Sequence, residues 1–207
     1  MKKILAIALV LLPAVAQADG SVGVRAGTVG LGLEFAYPIS SSLGVRLIAD
    51  GYKYSRKFTQ DNIEYDGDVK LRTGSLLLDL FPFANNFRIS AGGVYNGNKI
   101  LLSTPTQSLT INNTPYTAAL NGEVDFKKFA PYAGIGYGRP INSGLSVTFD
   151  LGVMFQGTPT ATLNGTCTGV GCATFQTDLK AQEASLNDKI KDFRYYPVAT
   201  LGLAYTF

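Results

Sequence analysis

With 207 residues, the chain has the length of one domain. Its 18 basic and 15 acidic residues nearly balance, so the composition gives no support to binding of nucleic acid or other polyanions. Hydrophobic residues make up 46% of the chain, but beyond its N-terminal segment no stretch reaches the about 18 consecutive apolar residues that a membrane-spanning helix needs.

The N-terminal segment has the pattern of a secretory signal peptide. Lys2 and Lys3 precede an apolar run from Ile4 to Val15, and the small-residue motif Ala16-Gln17-Ala18 follows. This order of a basic start, an apolar stretch and an A-x-A cleavage site is typical of exported precursors. We therefore predict a signal peptide over residues 1–18 and a mature domain over residues 19–207.

Period-two alternation dominates the rest of the chain. From Leu145 to Phe155, apolar residues occupy every second position, and the residues between them are mostly small or polar. This pattern predicts a strand with one apolar face. Its length matches the roughly ten tilted residues with which a β-strand crosses a bilayer, and it is about twice the usual strand length of a soluble sandwich.

Similar patterns predict eight strands. The predicted strands span residues 21–28, 30–37, 43–55, 68–81, 87–100, 122–138, 144–157 and 193–207. The expected fold is all-β: an eight-stranded antiparallel transmembrane barrel with both termini on the periplasmic side. Short turns alternate with long extracellular loops at residues 56–67, 101–121 and 158–192. In the fourth strand, a β-bulge near Gly74 is expected to keep Lys70 and Arg72 away from lipid.

Aromatic residues gather at the strand ends, as expected for the two girdles of a membrane barrel. The girdle at the short turns contains Phe35, Tyr37, Phe81, Phe87, Tyr137, Tyr205 and Phe207. The girdle at the long loops contains Tyr95, Phe126, Phe155 and Tyr195. An ordinary β-sandwich with aromatic residues at its edges is the alternative. Tyr205 and the terminal Phe207 also resemble the C-terminal signal that the outer-membrane assembly machinery recognises.

The last long loop contains two further features. Between Phe175 and Lys191, apolar residues recur at helical spacing without glycine or proline, which predicts an amphipathic helix that packs on the barrel rim or binds a partner. Cys167 and Cys172 are the only cysteines, and in an exported protein they predict a disulfide. A zinc site is the alternative, with only these two thiols and no histidine as soft ligands. We predict no cofactor.

Charged residues within the strands are expected to face the lumen. A charge on the lipid side at mid-membrane costs roughly 2–4 kcal/mol. The predicted lumen charges are Arg25, Glu34, Arg46, Asp50, Asp79, Arg88 and Asp150, with Tyr132 and Tyr196 beside them. Because an eight-stranded barrel is just filled by its inward side chains, these charges should form ion pairs. They predict either a salt-bridged plug or a narrow polar path for small zwitterions.

A histidine-free chain lacks the usual general base of outer-membrane hydrolases, acyltransferases and proteases. Serines such as Ser90 and Ser146 therefore have no imidazole to activate them, and we do not expect an enzyme.

One segment resembles a known family. The run Phe129–Tyr137 (FAPYAGIGY) is similar to the APYxGxG strand of the CarO-type outer-membrane proteins. Asn62–Gly67, the Gly157–Pro159 turn, the charged helix before the last strand and Tyr196–Val198 fit the same layout. The resemblance covers most of the predicted mature chain. It implies a small eight-stranded barrel that passes ornithine and other small amino acids, with a link to carbapenem entry. The chain departs from the family in its Cys167–Cys172 loop and its loop lengths, so no ligand residues are transferred.

Together these features predict a protein of the cell outer membrane. Its expected partners are outer-membrane lipid and lipopolysaccharide, the barrel-assembly machinery and, in transport, small amino acids. The expected function is a narrow or gated channel for small solutes, or a structural envelope protein. The alternative is a surface adhesion or interaction protein that acts through its long loops.

Overall fold

The computed structural model describes residues 20–60, 63–140, 143–169 and 171–207. The predicted signal peptide, residues 1–18, lies outside these ranges. The described residues form eleven strands and one α-helix. The strands are β1 (Ser21–Gly27), β2 (Gly30–Pro38), β3 (Leu43–Gln60), β4 (Ile63–Leu80), β5 (Phe87–Asn96), β6 (Lys99–Ile111), β7 (Thr114–Asp125), β8 (Phe129–Tyr137), β9 (Gly144–Phe155), β10 (Thr160–Cys167) and β11 (Tyr195–Thr206), and the helix is α1 (Phe175–Ile190). No helix in this part of the chain is long and apolar enough to cross a membrane.

Eight of these strands close into a ring, which confirms the predicted barrel. The order around the ring is β4, β3, β2, β1, β11, β9, β8 and β5, and pairing of β5 with β4 closes it. Every pairing is antiparallel. At the end that we predicted to be periplasmic, residues 39–42 join β2 to β3 and residues 81–86 join β4 to β5 as short turns.

The outer surface of the ring is apolar. Outward-facing residues of β2, β4 and β11, such as Leu33, Leu76 and Leu201, are about 60% exposed. Exposing rows of leucine on every side would be costly in water, so the exposed belt fits a hydrocarbon environment. Phe81, which the sequence assigned to the girdle at the short turns, is instead buried, and the Arg139 guanidinium lies 5.3 Å from its ring centroid.

The remaining strands build a second sheet outside the ring. Beyond the barrel wall, β4 leaves β5 and pairs with β6, β6 pairs with β7, and β7 pairs with β10. The prediction that these three segments are loops was therefore wrong, because they contain paired strands. Residues 56–60 and 63–67 continue the paired strands β3 and β4, residues 101–121 belong to the β6–β7 hairpin, and the last loop contains β10 before α1. The predicted sixth strand, residues 122–138, is divided between the end of β7 and the barrel strand β8.

The predicted bulge near Gly74 is also wrong. The β3–β4 register runs without a shift from Leu43 opposite Leu80 to Gln60 opposite Ile63. Arg72 stays on the same face as the lipid-facing leucines of β4, but it lies at the height where β4 leaves the barrel wall, so no bulge is required. The register shift that does occur lies in the β6–β7 hairpin between Thr104 and Gln107, where Pro105 has no amide hydrogen for the ladder.

Helix α1 confirms the predicted helix and packs on the extracellular sheet. Its buried residues Phe175 and Leu179 contact Leu109 and Tyr116 of the β6–β7 hairpin. The side chain of Asn187 also bonds the backbone of Ala161 on edge strand β10, both as donor and as acceptor at 2.8 Å. The helix therefore covers an edge strand that would otherwise present unpaired backbone groups.

Candidate functional site in the barrel lumen

The structure brings all seven predicted lumen charges into one buried network. They come from the inward-facing positions of six strands, because side chains alternate across each wall and the opposite positions face lipid. Each of the seven is less than 9% exposed, and the guanidinium-bearing side chains of Arg46 and Arg88 are almost fully enclosed. No single strand supplies the cluster, so only closure of the ring assembles it.

Arg46 lies at the centre of this network, which we call the lumen ion cluster. Its Nη1 lies 3.0 Å from Glu34 Oε2, its Nη2 lies 3.0 Å from Asp150 Oδ1, and its Nε lies 2.5 Å from Asp79 Oδ2. Nη2 also donates to Ser90 Oγ at 3.0 Å. Asp150 is on β9, across the lumen from β3, so Arg46 bridges opposite walls of the barrel.

Arg25 and Arg88 extend the cluster on either side. Arg25 lies 3.3 Å from Glu34, 3.2 Å from Asp50 and 3.6 Å from Asp150. Arg88 pairs with Asp150 at 2.9 Å and donates to the carbonyl oxygen of Gly138 at 2.5 Å. Asp150 is thus shared by all three arginines. Such multiply paired, charge-assisted contacts are strong only while every partner is present.

Ser90 and Thr73 complete the contacts of the acids. The Ser90 hydroxyl donates to Asp79 Oδ1 at 2.5 Å, and the Thr73 hydroxyl donates to Asp50 Oδ2 at 3.3 Å. Ser146, the other serine considered as a nucleophile, donates to the carbonyl oxygen of Ala204 at 3.3 Å. These hydroxyls therefore act as hydrogen-bonding partners within the barrel.

Inward-facing glycines make the space that the cluster occupies. A Cβ atom at Gly136 would lie 2.7 Å from Asp150 Oδ1 and 2.8 Å from Arg88 Nε. A Cβ atom at Gly32 would overlap the carboxylate of Asp50. Sequence reasoning missed these positions. The sequence feature that could have revealed them is a glycine at an inward-facing position of a strand, opposite a charged residue on the neighbouring strand.

An apolar layer adjoins the cluster on the side away from the short turns. It contains Val29, Ile48, Leu77, Val94, Ala130, Tyr132, Met154 and Val198. Tyr132 lies where the sequence predicted, and its hydroxyl reaches back over Gly134 and Gly152 towards the charges. Tyr196 only packs against this layer, and its hydroxyl donates to the carbonyl oxygen of Thr28 at 2.5 Å, so it does not touch the ion cluster.

The lumen has little free volume around these two layers. One cavity of about 20 Å³ lies between Arg25, Asp50 and the apolar layer. Another of about 10 Å³ lies between Arg46, Arg88 and the short turns. A water molecule needs about 10–15 Å³ of such volume, so each cavity holds about one water. Neither cavity offers a solute-sized passage.

The other predicted site residues lie outside the lumen. Cys167, the last residue of β10, forms the predicted disulfide with Cys172, so the alternative of thiolate ligands for zinc is wrong. In the described ranges no group of three or more cysteine or acidic side chains is arranged to hold a metal ion. Tyr205 and Phe207 lie on the lipid-facing side at the end of β11, with their ring centroids 6.3 Å apart.

The fold is similar to two solved structures of Acinetobacter baumannii proteins. CarO2 aligns with a TM-score of 0.61 at 20% sequence identity, over 92% of this chain and 99% of that chain. CarO aligns with a TM-score of 0.59 at 22% identity, over 92% of this chain and 98% of that chain. No family model matches the sequence, and a search of curated proteins finds no match. The likeness confirms the predicted CarO-type barrel fold.

Proposed function

We propose that this chain is a structural protein of the outer membrane whose barrel is closed to solutes at rest. One observation carries the proposal: the lumen ion cluster joins opposite walls through Arg46, and the cavities beside it hold about one water each. The apolar layer next to the cluster adds a second barrier, because an ion that crosses it would lose its hydration shell.

Transport of small amino acids, which the CarO-type resemblance implies, would need a different conformation. A path through the lumen has to separate Arg46 on β3 from Asp150 on β9 and also displace Met154 or Tyr132 from the apolar layer. Breaking a buried ion pair costs roughly 3–5 kcal/mol when no new partner replaces the old one. A gated channel is therefore compatible with this barrel only if the solute or a moving extracellular segment compensates for these contacts.

Liposome swelling tests the proposal. Refolded protein is reconstituted into vesicles, which are then exposed to glycine, ornithine or a disaccharide. An open porin serves as the positive control. We expect swelling no faster than in protein-free vesicles for all three solutes. Rapid swelling with glycine and ornithine but not with the disaccharide would contradict closure and favour a narrow channel.

A surface-interaction role is the second candidate, and the folded extracellular sheet favours it. The face of this sheet opposite to α1 has two adjoining concavities of about 630 and 690 Å³. Both are lined by Lys57, Asp66, Ser103 and Asn121. Both volumes fall within the roughly 300–1,000 Å³ range of ligand pockets.

A binding comparison tests this second candidate. Vesicles carrying the wild type are screened against an array of glycans and matrix proteins, in parallel with a Lys57→Ala/Asp66→Ala variant that loses an exposed ion pair of 3.2 Å. Removal of Lys180 and Asp188 from the exposed side of α1 provides a charge-matched control. Binding that is lost only in the first variant supports the candidate, and equal binding by all three proteins contradicts it.

A further inference from the structure

Three lysines form a row across the base of the extracellular sheet. Lys53 of β3 is the register partner of Lys70 of β4, and Lys70 is in turn the partner of Lys99 of β6. Adjacent strands are about 4.8 Å apart, and like charges directly opposite each other destabilise a sheet. We call these three residues the lysine row. A protein that keeps such a row has to compensate for the repulsion.

The lysine row lies on the face that continues the lipid-exposed side of the barrel. On β4, Lys70 has the same phase as Leu76, Leu78 and Leu80, all of which are exposed in the apolar belt. Because successive residues of a strand alternate between faces, Lys70 points outwards above this belt. Arg72 has the same phase, is also exposed, and lies between Lys70 and the leucines.

The height of the row matches the headgroup region of the outer leaflet. Tyr95 and Phe129 are register partners at the level of Gly74, and these residues are 59% and 69% exposed, which marks the bilayer interface. Lys70 lies four residues before Gly74 on β4, in the direction away from the barrel. At about 3.4 Å per residue and a tilt of about 40°, that places the lysine row about 10 Å above the aromatic rings.

Most acidic partners of the lysine row lie on the side of the row that is further from the bilayer. Lys53 pairs with Asp68 at 3.3 Å, and Lys99 pairs with Glu123 and, at 3.2 Å, with Asp125. Asp68 and Glu123 belong to the next register row, further from the membrane, and only Asp125 is level with the lysines. Lys70 forms no salt bridge within the described ranges. Hydrogen bonds to Glu123 and Asp125 raise the pKa of Lys99, so it stays charged.

From this arrangement we propose that the lysine row, with Arg72 beneath it, binds the phosphate groups of an outer-leaflet glycolipid. The cations lie nearer to the bilayer than Asp68 and Glu123, which occupy the side of the row towards bulk water. A soluble anion that approaches from water would meet the acids first, whereas a phosphate held at the membrane surface meets the cations directly. The proposal depends only on the membrane orientation of the barrel and is independent of whether the lumen conducts.

Binding of labelled diphosphoryl lipid A to the folded full-length protein tests this. The protein is held in zwitterionic detergent, and a fully dephosphorylated lipid A is the parallel ligand. The main variant replaces Lys53, Lys70 and Lys99 by Gln, and the second replaces only Lys70 and Arg72, neither of which forms a salt bridge in the described part of the chain. The control replaces Lys180, Lys189 and Lys191 of the helical segment by Gln, with the same loss of charge.

A basic residue near an anionic surface contributes about fivefold to affinity, so we expect the main variant, which lacks three of them, to bind diphosphoryl lipid A about 100-fold more weakly. The second variant, which lacks two basic residues, should show a loss of about 25-fold, and the control should bind like the wild type. Equal binding of dephosphorylated lipid A by the wild type would overturn the proposal, since the apolar belt alone would then explain the affinity. Wild-type affinity in the Lys70→Gln/Arg72→Gln variant would also overturn it. Inorganic phosphate should not compete at millimolar concentration, and competition there would show a soluble-anion site instead.

Discussion

Replacing Arg46 by Met removes the central cation of the lumen ion cluster and keeps a side chain of similar length. Arg46 is 1% exposed and forms ion pairs with Glu34, Asp79 and Asp150. Its loss leaves Asp79 without a cationic partner, because the Ser90 hydroxyl is its only other side-chain hydrogen-bond partner among the described residues. Glu34 and Asp150 keep Arg25, and Asp150 also keeps Arg88.

The expected loss of unfolding free energy follows from the number of cationic partners that each acid keeps. One newly unpaired buried charge costs roughly 3–5 kcal/mol in a tight interior. We therefore expect Arg46→Met to lower the free energy of unfolding by about that amount. Arg88→Met should cost less, since Arg88 has one acidic partner, and that partner keeps two other arginines. The double variant Arg46→Met/Asp79→Asn should lose less than the sum of the single variants, because it removes both members of a pair.

Urea unfolding in lipid vesicles measures these differences. The chain contains no tryptophan, so the heat-modifiable gel shift and circular dichroism follow unfolding. Lys57→Met, which removes a cation whose side chain is 88% exposed, is the matched control and should change stability little. A stability change below about 1 kcal/mol in Arg46→Met would refute the tight, dry lumen, since bulk water would then be hydrating the orphaned carboxylates.

Further predictions concern the ends of the chain and the extracellular segment. Cys167→Ser/Cys172→Ser should still fold, because so short a closed loop contributes less than the roughly 3 kcal/mol estimated for a 15-residue loop, and alkylation of the unreduced wild type should find no free thiol. Deletion of Phe207 should lower the amount of heat-modifiable protein in the outer membrane and leave unfolded protein in the periplasm, and normal surface levels would count against its role in assembly. A hydrogen bond from the Tyr116 hydroxyl lowers the pKa of Asp178. Because the folded pKa lies below the unfolded value, this contact stabilises α1 above pH 4 or so and is lost as the pH falls through the folded pKa. Amide exchange in α1 should accelerate in acid in the wild type, and Asp178→Asn should lack this acid step.

The barrel wall and the residues of its lumen could be predicted from the sequence because both follow from period-two alternation. Once a strand has one apolar face that must meet lipid, the charged residues of the opposite phase have to point inwards, and the lumen of an eight-stranded ring is too narrow to keep them apart. Arg46 and Asp150 lie 104 positions apart in the chain, and their contact follows from this argument without any knowledge of register.

The extracellular sheet could not be predicted in the same way, because its strands are not constrained by lipid. Both faces of β6 and β7 carry polar residues, so the segment from Lys99 to Asp125 lacks the apolar alternation of the wall. Its pairing depends on β4 exchanging β5 for β6, which is a long-range event. The bulge placed near Gly74 failed for the same reason: it assumed that the whole of β4 lies within the membrane.

Single-channel recording on the wild type in a planar bilayer tests the central claim of a closed lumen most directly. With Arg46, Arg25 and Arg88 paired and the apolar layer in place, the protein should give no steady current at moderate voltage in 1 M salt. Under the same conditions Arg46→Met/Asp150→Asn/Met154→Ala, which removes the bridge between opposite walls and thins the apolar layer, should show at least brief openings. A steady, large conductance in the wild type would contradict the account, since the lumen ion cluster would then not close the barrel.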